Sequence, residues 1–168
     1  ENPKPLKTKL RKLKKLQQSV SRKVKGSNNR KKATKKVARL HLRISNVRKD
    51  VLHKMTTTLA KTKRVVGIED LNVSGMMKNR CLARSIADLG LFELRRQLSY
   101  KGTWYNCKIV PVGRFFPSSK TCSVCGEIKE DLTLADREWD CVGCGTHHDR
   151  DHNAAVNLED VAASLSET

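Results

Sequence analysis

Cys122-x-x-Cys125 and Cys141-x-x-Cys144, with fifteen residues between the pairs, restrict what this chain can fold into more than any other feature. Thiolates at i and i+3 of a tight turn can face one ion, and Gly126 and Gly145 follow each pair where the backbone must fold back. Two such knuckles close a tetrahedral four-sulfur site, at a spacing that suits a zinc ribbon. The expectation is one structural zinc held by Cys122, Cys125, Cys141 and Cys144, with no position left open for substrate. An iron–sulfur cluster and a redox dithiol are the alternatives. A disulfide network is disfavoured, because no secretory signal is expected at residues 1–16 and four of the six cysteines fall into these pairs. Cys81 and Cys107 stand alone and are expected to be buried small hydrophobes.

Charge divides the 168 residues in two. Of the 35 Lys and Arg, 23 lie in residues 1–64, against two acids there, Glu1 and Asp50. The net charge of +18 therefore resides in the first part, and the remainder is slightly acidic. A polyanion partner is expected for the basic part, nucleic acid above all, against the blander reading of a solubilising helical face. No run approaches the length of an apolar membrane span.

The period of the apolar residues separates the segments. Leu6, Leu10, Leu13, Leu16, Val20 and Val24 form one helix stripe. Turn chemistry follows at residues 25–29, and a second stripe runs through Ala33, Val37, Leu40, Ile44, Val47, Val51, Met55 and Leu59. The two helices are expected to form an antiparallel hairpin. Residues 64–71 read as a short buried strand, residues 72–85 as an exposed loop, and residues 85–100 as a helix. Residues 106–112 read as a second strand, with Pro111 at its end or on an edge, and residues 151–164 as a last helix. Aromatic residues make up only 4% of the chain, so the core must be aliphatic. Strand, helix, strand, helix is an α/β order with parallel strands.

An acidic knot, His147-His-Asp-Arg-Asp-His-Asn153, follows the cysteines. The histidines are expected at the surface or behind the cysteine ligands. Asp149 suits a helix cap, and Asp151 the favourable end of a helix dipole. A second reading competes with these. Glu69 closes a buried strand, where α/β folds keep their sites, and could share a divalent cation with Asp151. Two Mg²⁺ or Mn²⁺ ions held in that way support phosphodiester hydrolysis. The residues alone leave both readings open.

Ile68-Glu-Asp-Leu-Asn72, Phe116-Pro-Ser-Ser-Lys-Thr-Cys-Ser-Val-Cys-Gly126 and Asp149-Arg-Asp-His-Asn-Ala-Ala155 together carry a resemblance. They resemble the TnpB (OrfB) proteins of bacterial insertion sequences, RNA-guided endonucleases of transposons related to the compact type V CRISPR effectors. The stretch from Ser27 to Ala33 and Gln97-Leu-x-Tyr-Lys101 fit the same pattern, so the resemblance covers essentially the whole chain. It implies an α/β, partial RuvC-like RNase H fold with a long basic helical hairpin and an inserted zinc ribbon. The expected divisions are 1–63 for the hairpin, 64–116 for the core, 117–147 for the ribbon and 148–168 for the last helix.

The resemblance places the family's second and third catalytic acids on Glu69 and Asp151, which would hold Mg²⁺ or Mn²⁺. Asp149, Arg150 and Asn153 are the supporting neighbours. Guide RNA and target DNA are the implied partners. Contacts to them are expected from Lys12, Arg22, Lys23, Arg30, Lys31, Lys32, Lys35, Lys36 and Arg43. The family's first carboxylate would lie upstream of Asn2-Pro3. The chain is therefore expected to be the carboxyl-terminal part of a nuclease, with little activity alone, in a prokaryotic cytoplasm and at the nucleoid when bound to DNA. A truncated copy that only binds nucleic acid is the competing expectation, and a zinc-stabilised transcription regulator is a third.

Overall fold

The computed structural model describes residues 4–133 and 135–167, so the expectations placed on Glu1, Asn2 and Pro3 fall outside the described residues. The described residues form two compact units. One comprises residues up to Thr58 with Asn72–Gln97; the other comprises Leu59–Leu71 with the residues from Leu98 onward.

In the first unit, α1 (Pro5–Ser21) and α2 (Asn28–Thr62) bury Leu13, Leu40 and Ile44 in one cluster, with Leu6, Leu16 and Val37 packed against it. The stripe on α1 ends with the helix: Val24 lies in the intervening turn and is 78% exposed. Along α2 the expected stripe holds as far as Ile44 and then shifts by one position. Leu52 and Thr56 are buried, whereas Met55 is 41% exposed. Four-residue steps drift around a helix of 3.6 residues per turn, so successive parts of a long helix present different faces. The later part of α2 meets two further helices, α4 (Ala83–Leu89) and α5 (Leu91–Tyr105). Arg48 donates to Asp88 of α4 at 3.0 Å, and Thr56 lies 3.0 Å from the side-chain oxygen of Gln97.

Residues 72–85 are not the loop that their polarity predicts. They contain α3 (Val73–Lys78), with Asn72 accepting from the Gly75 amide, and the first turn of α4. The single helix predicted over 85–100 is broken at Gly90. That residue takes φ 67° and ends α4 by donating to Ile86. Asp88 has a separate task. Lys4, which precedes α1, offers no side-chain cap, and Asp88 accepts from the Leu6 and Lys7 amides at 3.0 Å each instead. Orphan donors at a helix start are thereby satisfied by a carboxylate from another helix.

In the second unit, β1 (Val65–Glu69) pairs in parallel with β2 (Lys108–Val112), Glu69 lying opposite Val112. Among the described residues no other strand pairs with either. A helix, α6 (Arg150–Glu167), covers one face of the pair. Gly67 is what lets it approach: a Cβ there would sit 2.5 Å from the Leu158 carbonyl oxygen and 3.0 Å from the Ala162 Cβ. Side chains alternate across a strand, so Glu69 shares the Gly67 face and points to the α6 side. Between β2 and α6 runs the cysteine segment, with the short antiparallel strands β3 (Glu138–Asp140) and β4 (His147–Asp149).

Substituting Gly67 by Ala should push α6 off β1 and cost about 1–3 kcal/mol of stability, as overpacking generally does. Thermal unfolding of Gly67→Ala checks this. Gly113→Ala, where a Cβ meets nothing within 4 Å, serves as the control that should not shift.

Candidate functional site

The cysteine segment is built from two copies of one turn. In the first, the Cys122 amide donates to Glu127 and the Gly126 amide donates to Cys122, with Gly126 at φ 80°. In the second, the Cys141 amide donates to Thr146 and the Gly145 amide donates to Cys141, with Gly145 at φ 72°. The left-handed glycines turn each backbone sharply enough to aim both of its sulfurs inward. All four Sγ atoms lie within 4.8 Å of one another. Cys122 and Cys144 are 3.7 Å apart, and Cys125 and Cys141 are 3.5 Å apart. Four sulfurs bound to a tetrahedral zinc at about 2.3 Å would be about 3.8 Å apart, so the donor set fits a metal ion.

The surroundings favour a bound cation. Thr146, through its hydroxyl and its amide, holds the Cys144 thiol down to about 6. The Glu127 amide favours the Cys125 thiolate, yet the Cys141 and Cys144 sulfurs beside it outweigh that effect and push it up to about 12. Crowded thiolates repel, and a divalent ion removes the conflict. His148 is buried with Nε2 3.1 Å from the Cys122 sulfur, and its ring packs on Trp139 with centroids 4.7 Å apart. His147 is exposed, with Nδ1 2.8 Å from Asp140. One histidine thus stands behind a ligand and the other at the surface, the two places expected for them.

The carboxylates lie on either side of this ribbon in the chain. Glu69 is exposed at the end of β1, and its Oε1 accepts from the Ser118 hydroxyl at 3.2 Å. Asp151 is in the first turn of α6 with its side chain 73% exposed, and the Arg150 guanidinium lies 3.3 Å from its Oδ1. Asp149 caps α6, accepting from the His152 amide at 2.8 Å. Asn153 is 1% exposed; it donates to Thr121 at 2.7 Å and accepts from the Ser123 amide at 3.0 Å. Asn157 donates to the carbonyls of Ser118 and Thr121 at 2.7 Å each.

Glu69 and Asp151 do not touch through a hydrogen bond. A path joins them: Glu69 to the Ser118 hydroxyl, the Ser118 carbonyl to Asn157 and Asn153, and Asn153 along α6 to Asp151. Ser118 and Asn157 escaped the sequence reading. Ser118 lies in the Phe116–Gly126 motif, whose residue types do not distinguish it, whereas Asn153 and Asn157 at i and i+4 form a legible polar pair on one helix face.

Of the basic residues expected to contact nucleic acid, Lys12, Arg22, Lys31, Lys32, Lys35, Lys36 and Arg43 are exposed. Lys31 with Lys35 and Lys32 with Lys36 stand four apart on α2, so like charges face each other. Lys23 and Arg30 are half-buried, and Arg30 donates to the Lys23 carbonyl at 3.1 Å, which binds its guanidinium into the turn. Cys107 is buried as expected; Cys81, expected to be buried, is exposed, because it sits in the turn before α4 and not on its packed face. No helix among the described residues is long and apolar enough to cross a membrane.

The parallel pair β1 and β2 covered by α6, the four-cysteine ribbon and the basic helices α1 and α2 are the parts of a partial RuvC-like α/β fold. A family model described as "Probable transposase" matches residues 1–80, and one described as "Cas12f1-like, TNB domain" matches residues 92–158. A "Putative RNA-guided DNA endonuclease" of Streptomyces pristinaespiralis is 50% identical over 98% of this chain and 40% of its own length. "Putative RNA-guided DNA endonuclease InsQ" of Escherichia coli (strain K12) is 38% identical over 88% of this chain and 40% of its own. Among solved structures, a Cas12f1–sgRNA–target DNA complex superposes with a TM-score of 0.63 at 18% identity, covering 91% of this chain and 41% of that one. The chain belongs to the TnpB (OrfB) family. It spans about 40% of the length of these curated relatives.

The purified chain should carry one metal ion per molecule by elemental analysis, and Cys122→Ser should carry none; a full equivalent in that variant would contradict the assignment of the ligands. Acid should release the ion, since protons compete for the thiolates. Asn153→Ala should leave the Ser123 amide unpaired at a cost of about 1–3 kcal/mol, read as a lower unfolding midpoint with the metal still bound.

Proposed function

We propose that this chain is the carboxyl-terminal part of a transposon-associated RNA-guided DNA endonuclease that hydrolyses phosphodiester bonds at a RuvC-like site. The observation that carries the reading is the hydrogen-bonded path from Glu69 through Ser118 to α6. A strand-end carboxylate whose rotamer is held by a buried serine, itself held by two buried asparagines, is more than a solvated surface acid requires. The binding-only alternative leaves that arrangement unexplained.

Glu69 and Asp151 are the residues that would hold Mg²⁺ or Mn²⁺, together with the further carboxylate that the family pattern includes. Such ions supply activation of the attacking water and stabilisation of the leaving oxygen. Arg150 would hold the Asp151 carboxylate in place, Asp149 would fix the start of α6, and Asn153 would fix the ribbon to it. Zinc is the ion proposed for the four cysteines, in a closed structural site. The proposed divisions are 1–63 for the basic hairpin, 64–116 for the nuclease core, 117–147 for the ribbon and 148–168 for the final helix. Guide RNA and target DNA are the proposed partners of the basic helices, with the prokaryotic cytoplasm and nucleoid as the place of action.

Fe²⁺ in place of Mg²⁺, with ascorbate and peroxide, tests the carboxylate site without needing turnover. The chain should be cut near residues 69, 118 and 151, and both Glu69→Gln and Asp151→Asn should abolish that pattern. Ser118→Ala should weaken Mn²⁺ binding by roughly tenfold to a hundredfold, as loss of a supporting hydrogen bond does at metal sites. Cutting at unrelated positions, or cutting unchanged in both carboxylate variants, would contradict the proposal.

A further inference from the structure

In the first unit a cleft of about 410 Å³ has cationic walls. Lys4 and Lys7 reach it from the start of α1, and Arg80 and Arg84 from the turn into α4 and its first residues. These segments are far apart in the chain and converge only in the fold. Lys7, Arg80 and Arg84 are exposed and form no ion pair among the described residues.

The acid in the wall does not offset them. Asp88 is 3% exposed, and its two oxygens are taken by the Leu6 and Lys7 amides and by Arg48. The same contacts occupy the first amides of α1, so any attraction for an anion comes from the side chains and not from the helix end. Cations gathered in a concavity focus a positive potential and repel one another until an anion enters. A solubilising face would disperse them or mix the signs.

We propose that this cleft is a phosphodiester-backbone site, additional to the Lys31, Lys32, Lys35 and Lys36 face of α2. Arginine forks match phosphate oxygens in pairs, and lysines add point charge. The volume lies within the usual range for small ligands, about 300–1,000 Å³, so it accepts a sugar-phosphate unit and not a duplex. Phosphate contacts fix register without reading bases, so binding here is independent of sequence. The inference rests on the nucleic-acid binding in the functional reading and not on its cleavage chemistry.

Cys81 lines the cleft and is exposed, whereas Cys107 is buried and the other four cysteines form the metal cluster. Alkylation of Cys81 by N-ethylmaleimide in the metal-loaded chain, mapped by peptide mass, is therefore a reporter placed in the site. A short single-stranded RNA, or DNA of the same sequence, should slow that alkylation roughly tenfold when present at about ten times its Kd. Protection by RNA alone or by DNA alone supports the site and assigns the source of the phosphate. The double variant Arg80→Ala/Arg84→Ala should lose the protection, and its slope of log affinity against log salt should fall by about 1.4. Cys81 that reacts at the unliganded rate while fluorescence polarisation reports bound nucleic acid overturns the site and leaves the functional reading standing. Failure of both nucleic acids to bind overturns both. Protection that persists in the double variant, or that inorganic phosphate gives when neither polymer does, also overturns it.

Discussion

Two buried asparagine side chains on α6 donate to the carbonyls of Ser118 and Thr121, and the rest of the second unit depends on that interaction. The 37 residues from Gly113 to Asp149 contain little regular structure and bury a small core of Cys122, Leu132, Trp139 and Cys141. Such a segment cannot fix its own position against β1 and α6. A metal ion held by the four cysteines would make it internally rigid, and the asparagines, with the Arg150 amide that donates to Arg137 at 2.8 Å, attach it to α6. Their partners are backbone carbonyls, which are obligate acceptors, so the attachment is specific in register as well as favourable. Ser118 then transmits the position to Glu69 through a single hydroxyl. The clip and the acids are neighbours in sequence because one helix start has to serve both.

The first unit rests on a comparable economy. Asp88 takes two amides at the start of α1 and the Arg48 guanidinium of α2, so one carboxylate ties three helices together. Burial of a charge is tolerable only with that degree of pairing. The same pairing accounts for an acid in the wall of the cationic cleft of a strongly basic unit. The carboxylate belongs to the framework, and the surrounding cations are left for an external anion. The shift of the buried stripe on α2 follows from the same helices: its earlier part meets α1, and its later part meets α4 and α5.

Periodic and covalent features were the legible part of the sequence. The four ligands, the two long helices, the parallel pair β1 and β2 and the final helix follow from spacing, apolar period and β-branched content. Features set by single contacts were not legible. Gly90 reads as an ordinary glycine inside a helical pattern until its φ of 67° shows it to be a terminator. Asn72, which starts α3, looked like a loop residue because capping residues and loop residues share a composition. The exposure of Cys81 depends on which side of one turn it occupies. For the site, motif placement pointed to Glu69, Asp151, Asp149, Arg150 and Asn153. Ser118 was missed because a hydroxyl that meets a carboxylate 49 positions away leaves no local pattern, and Asn157 because its i, i+4 pairing with Asn153 marks a polar helix face without showing which carbonyls it meets.

Amide hydrogen exchange of the chain with and without its ribbon metal addresses the coupling most directly. The account predicts that stripping the metal raises exchange first in residues 117–146, and then at Glu69–Leu71 and in the first turn of α6, because Ser118 and the asparagine pair lose their anchored partner. Loss of protection confined to the cysteine turns, with Glu69–Leu71 and residues 150–153 unchanged, would contradict it. The ribbon and the carboxylates would then be neighbours in sequence without being mechanically joined.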